Sequence, residues 1–122
     1  MTKTEIILET VEYYNNNPRG SDNNSCFYFK EGKMCAVGRC LILPESFENQ
    51  NLYTIGRVFN NTSSIMDSNL KKQYRGHSID FWKDLQSFHD NPLYWEENES
   101  GNNLKPRGKF KLENLLELYG KS

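Results

Sequence analysis

Apolar residues recur at helical spacing in several stretches of the chain and crowd at strand-like spacing in one. Ile7, Leu8, Val11 and Tyr14 fall at i, i+1, i+4 and i+7 and predict a helix from Thr4 to Tyr14. Thr2 with Glu5 three residues on has the pattern of a capping box, and Asn15-Asn16-Asn17-Pro18 supplies the stop. After a polar connector, Cys26-Phe27-Tyr28-Phe29 and Met34-Cys35-Ala36-Val37 flank a Gly-containing turn and predict an antiparallel β-hairpin. Gly38 to Leu43 fits a third strand or a helical turn equally well, because short apolar runs carry no decisive period.

The second half reads as mostly helical. Leu52, Ile55, Val58 and Phe59 suit a short helix, and Ser64 opens another that runs toward Tyr74-Arg75-Gly76. The clearest pattern begins at Ser78 as N-cap, with Ile79, Phe81, Trp82, Leu85, Phe88 and His89 in one broad stripe. Asn91-Pro92 interrupts it, and Glu96 to Asn103 reads as an acidic loop. The last helix starts near Pro106, carries Leu112, Leu115, Leu116 and Tyr119 on its core face and closes at Gly120. The fold class that follows is α+β, a single small domain over 1–122 with several helices packed around a short antiparallel hairpin. Its expected core contains Val11, Phe27, Phe29, Val37, Phe81, Trp82, Leu85, Leu112, Leu115, Leu116 and Tyr119.

Composition narrows the partners. Fifteen basic against sixteen acidic side chains leave a formal charge of −1, so no global field gathers nucleic acid or acidic lipid, and nucleic acid is disfavoured as a partner. Mean hydropathy is low at −0.81, but the chain holds seven Phe, seven Tyr and two Trp, enough large apolar surface for a small aromatic core. No apolar run approaches a membrane span, and the odd cysteine set, Cys26, Cys35 and Cys40, suits a reducing compartment. The expectation is a cytoplasmic protein without a membrane partner.

Four constellations bear on chemistry. Cys35 is a candidate nucleophile with His77 or His89 as base, but none of the local signatures of catalytic cysteines surrounds it. The gaps between Cys26, Cys35 and Cys40 lack the close pair of a zinc knuckle, so no metal or other cofactor is expected. His77, Asp80 and Asp84 form a polar row, read as the solvent side of a helix start, and Lys105, Arg107, Lys109 and Lys111 read as a solvated face beside the acidic loop. Tyr74-Arg75-Gly76-His77 leads into the Ser78 N-cap and joins a stackable ring, a guanidinium and free helix N–H groups. With Arg39 brought near from the hairpin, the candidate ligand-binding set is Arg39, Tyr74, Arg75, Gly76, His77 and Ser78, aimed at a small anionic, nucleotide-like ligand.

Three groups of segments resemble a set of short bacteriophage and prophage proteins without an assigned activity. They are Glu9 to Tyr14 with Asn17-Pro18-Arg19, Met34 to Leu41, and Tyr74-Arg75-Gly76 followed by Asp80 to Gln86 and His89-Asp90. The resemblance spans most of the chain apart from 44–64. It implies a phage-encoded protein in the bacterial host cytoplasm, a counter-defence or takeover factor that occludes a host protein or captures a small anion. The competing expectations are a cysteine-dependent hydrolase built on Cys35 and an assembly protein with no small ligand.

Overall fold

The computed structural model describes residues 1–17, 21–22, 25–26, 28, 33–50, 55–98 and 101–120. Five α-helices and two short antiparallel strand pairs are found among them, a small α+β domain. Helix α1 spans Lys3–Asn16, and its capping box is formed: the Glu5 amide donates to Thr2 Oγ1 at 3.1 Å while the Thr2 amide donates to Glu5 Oε1 at 2.8 Å. Its buried face is Ile6, Ile7, Thr10 and Tyr14, whereas Leu8, expected on that face, is 48% exposed. The apolar stripe is rotated because Thr10, polar by type, is wanted inside as a partner for a buried guanidinium.

Strands β1 (Ser21–Asp22) and β2 (Ser25–Cys26) pair antiparallel. The expected hairpin over 26–37 falls largely outside the described residues. Phe27, Phe29 and the turn at 30–32 lie outside the described residues, and from Ala36 the chain turns into a 3₁₀ segment, Gly38–Cys40, rather than continuing as a strand. Leu41 then bridges Leu70, so the ambiguous run from Gly38 resolves as a helical turn with one strand-like contact. Everything from Cys35 to Leu41 is buried, and this stretch crosses the interior as a spine.

Helix α2 (Ile55–Val58) ends in a turn where Asn60 and Asn61 both adopt positive φ, a conformation Asn tolerates better than other side chains. Helix α3 (Ser63–Asn69) is shorter than its pattern suggests, since Leu70 leaves the helix for its bridge to Leu41 and a 3₁₀ turn at Lys72–Tyr74 follows. Helix α4 (Ile79–Asp90) is capped by Ser78, which accepts the Phe81 amide at 3.3 Å.

The expected acidic loop is the longer of the two hairpins. Strand β3 (Trp95–Asn98) pairs with β4 (Gly101–Leu104) in the register Trp95 opposite Leu104 through Asn98 opposite Gly101. Polar composition concealed it. Trp95 anchors one end, buried and donating from its indole to the Phe88 carbonyl at 3.0 Å.

Helix α5 (Pro106–Tyr119) closes the domain. The hairpin and α5 both pack on α1, and α2 packs on α4. Of the expected core, Val37, Phe81, Trp82, Leu85 and Leu115 are buried, and Val11, Leu112, Leu116 and Tyr119 lie partly buried against them. Among the described residues no helix is long and apolar enough to cross a membrane.

Candidate functional site

Arg39 is the most heavily partnered residue of the candidate set, and it is inside. Only 7% exposed, it donates from Nη1 to Glu9 Oε1 at 2.6 Å and to the Tyr74 hydroxyl at 3.2 Å, and from Nη2 to Thr10 Oγ1 at 2.7 Å. The guanidinium lies 5.4 Å from the Tyr13 ring centre and 5.6 Å from that of Tyr74. Tyr74 completes the cluster by donating its hydroxyl to the same Glu9 oxygen. Partial burial pushes the Glu9 carboxyl up, but the hydrogen bonds from Tyr74 and Arg39 outweigh it and hold the group below the ordinary carboxylate value. Burial, reinforced by the bond to Glu9, pushes Tyr74 up to about 12. Glu9 thus occupies the place beside Arg39 that an incoming anion would take.

The rest of the predicted corner is contiguous and mostly exposed. Arg75 donates from Nε to the Leu70 carbonyl at 3.0 Å, and Gly76, at φ +94°, directs its amide to the Asp67 carboxylate at 3.3 and 3.4 Å. His77 Nε2 lies 2.8 Å from the Met1 carbonyl. At the α4 N-terminus the Ile79 amide donates to Ser63 Oγ at 3.1 Å and the Phe81 amide to Ser78. The structure brings Arg39 to Tyr74, while the Gly76, Ile79 and Phe81 amides serve Asp67, Ser63 and Ser78 and, among the described residues, the exposed Arg75 commits only its Nε.

The cysteines are structural in their surroundings. Cys35 is fully buried and its sulfur accepts the Gly38 amide at 3.2 Å, and burial pushes the Cys40 thiol up to about 12 in spite of Arg39. The Cys26 side chain lies outside the described residues. Among those described, no group of three or more His, Cys, Asp or Glu is placed to hold a metal ion. Of the candidate bases, His89 is fully buried, 2.8 Å from Asp90 through Nδ1 and 4.7 Å from the Tyr14 ring centre. In the polar row, Asp84 accepts the Tyr119 hydroxyl, and burial together with this bond raises the Tyr119 pKa.

Residues 9–14, 34–41 and 74–90 meet one another through further contacts. The Val37 amide donates to Gln86 Oε1 at 3.1 Å, Gln86 donates on to Asp90 at 3.0 Å, and the Tyr14 hydroxyl donates to the Met34 carbonyl at 2.6 Å. Gln86, Asp90 and Tyr14 are thereby committed to holding the scaffold.

The open surface chemistry lies elsewhere, on α5. Gly108 is buried against Tyr94, and a Cβ there would lie 2.1 Å from the Tyr94 carbonyl oxygen. That close approach sets the 91–94 turn beside the helix and leaves between them an open groove of about 640 Å³, lined by Leu93, Tyr94, Arg107, Phe110, Lys111 and Asn114 among others. Leu93 is 52% exposed and Phe110 66%. Arg107, Phe110, Lys111 and Asn114 stand at i, i+3, i+4 and i+7, a second stripe on α5 beside its core stripe. The basic run at 105–111 is not a uniformly polar face, because Phe110 stands within it three residues after Arg107 and one before Lys111. No family profile, curated protein or solved structure matches this chain.

Proposed function

We propose that the protein is a small binding module of the kind bacteriophages encode, which acts by covering a surface of a bacterial host protein. One observation carries this reading: a groove whose apolar residues, Leu93 and Phe110, stand exposed and framed by Arg107 and Lys111. Clustered exposed aromatic and aliphatic side chains among cations are what protein interfaces use as anchors. The internal chemistry supports the same choice. Cys35 and His89 are sealed in the core, which speaks against a hydrolase, and the Gly76, Ile79 and Phe81 amides of the Tyr74–Ser78 corner are engaged within the fold, which removes the backbone donors an anion would need there.

A photo-crosslinking substitution, Phe110→p-benzoylphenylalanine, tests the reading in bacterial cells, with the same substitution at the exposed Glu12 as control. A discrete heavier adduct from position 110 and none from position 12 is expected. No adduct from 110, together with nucleotides that raise the melting temperature of wild type but not of Arg75→Ala, would move the function to the anion corner. A specific adduct that forms without any effect on the host protein's activity would favour an assembly role.

A further inference from the structure

The outer stripe of α5 continues beyond the groove. Leu118 follows Asn114 by four residues and Lys111 by seven, and it is 62% exposed. Phe110 and Leu118 are therefore apolar positions on one side of the helix, separated by eight residues and hence about 12 Å along the axis at 1.5 Å per residue. Arg107 precedes the first anchor and Lys111 follows it directly at the groove, while the exposed Glu113 and Glu117 lie further along toward Leu118. Among the described residues neither cation has a hydrogen-bond or ion-pair partner. Two anchors two turns apart with unpaired cations at their side form a template for a second helix.

We infer that the α5 face receives an acidic amphipathic helix of the partner, presenting two apolar residues about two turns apart with carboxylates flanking them. This rests on the occlusion reading above and specifies its partner. Charge complementarity selects the sign, because carboxylates beside the partner's apolar residues meet Arg107 and Lys111 where they stand. Shape selects a rod. The 91–94 turn forms a wall along the first half of α5, so the surface is concave there and suits the side of a helix docked ridge into groove, whereas a bilayer offers a plane. The overall charge of −1 also provides no long-range pull toward an anionic membrane.

The test uses the full chain and a fluorescein-labelled stapled peptide helix with Leu at two positions seven apart and Glu flanking them. A charge-reversed peptide carries Lys in place of Glu. Fluorescence anisotropy should show saturable binding of the acidic peptide that weakens about tenfold or more when salt rises from about 50 to about 300 mM. Phe110→Ala should weaken it by about tenfold, and Arg107→Glu with Lys111→Glu should abolish it while gaining affinity for the Lys peptide. That swap of preference guards against misfolding, since an unfolded variant binds neither peptide selectively. Equal binding of the two peptides, or no binding of the acidic one, overturns the inference. So does sedimentation with vesicles of anionic lipid in place of peptide binding, or a wild-type dimer in ultracentrifugation that Phe110→Ala dissociates. A specific crosslink from position 110 alongside failure of the acidic peptide would discard the partner's chemistry and leave the occlusion reading standing. Failure of both would remove that reading as well.

Discussion

The carbonyl of Tyr94 and the Cα of Gly108 meet so closely that no other side chain fits between them, the added Cβ lying 2.1 Å from the oxygen. This contact joins the turn after α4 to the first turn of α5 and creates the groove wall. In an ordinary exposed helix Gly→Ala stabilises by about 1 kcal/mol through helix propensity. Here Gly108→Ala is expected to destabilise by about 1–3 kcal/mol, the range of an overpacked core, and to weaken whatever binds the groove. Urea melts of the variant decide the sign, and a stabilised protein would mean that α5 stands off the turn.

Glu9 sets the acid limb of stability. Its carboxyl is held below the ordinary value by Tyr74 and Arg39, so the contribution is fully present above the unfolded value of 4.5 and is lost as pH falls through the lower folded one. Glu9→Gln should cost about 2–3 kcal/mol near pH 7, less than for a fully buried pair because Glu9 is partly solvated. Denaturation curves of the two proteins should converge as pH falls from 4.5 through the lower folded value, and a constant difference across this span would mean that the charge of Glu9 contributes nothing.

The two leucines Leu115 and Leu118 report which faces of α5 are covered. Leu115 is 2% exposed and Leu118 is 62% exposed. Leu115→Ala should cost about 2–5 kcal/mol, whereas Leu118→Ala should stay within about 0.5 kcal/mol in the isolated chain. Equal losses would contradict the observed rotation of the helix.

Cysteine labelling follows from burial. Iodoacetamide at neutral pH should modify Cys35 and Cys40 of the native chain only as fast as the protein opens, and at full rate in denaturant, with mass spectrometry locating the adducts. Rapid native labelling of Cys35 would revive the hydrolase reading. Cys35→Ser should retain binding at the α5 face while losing stability, since it places a hydroxyl in a site where the sulfur only accepts the Gly38 amide.

The elements that could be read along the chain are those whose causes are local. The Thr2–Glu5 box, the Ser78 cap and the leucine stripe of α5 each depend on residues within one or two helical turns, and each stands where its spacing put it. The candidate site was legible only in fragments. Arg39 and Tyr74, both in the expected ligand-binding set, do meet, but their meeting point is Glu9 in the interior rather than a ligand at the surface.

What the chain alone determined is the α+β class, the ends of its best helices and the large apolar residues available to a core, because capping and periodicity are properties of neighbours in sequence. Tertiary structure decided where polarity and burial part company. The hairpin at 95–104 is built from Glu and Asn because one anchored tryptophan and backbone pairing suffice to hold it against α1, and strand pairing is not encoded by the polarity of the strand itself. Arg39 is interior because Glu9, Thr10 and Tyr74 converge from 30, 29 and 35 positions away, and only that convergence offsets the cost of desolvating a guanidinium. The α5 groove exists because Gly108 lets a backbone approach that no pattern of side chains records.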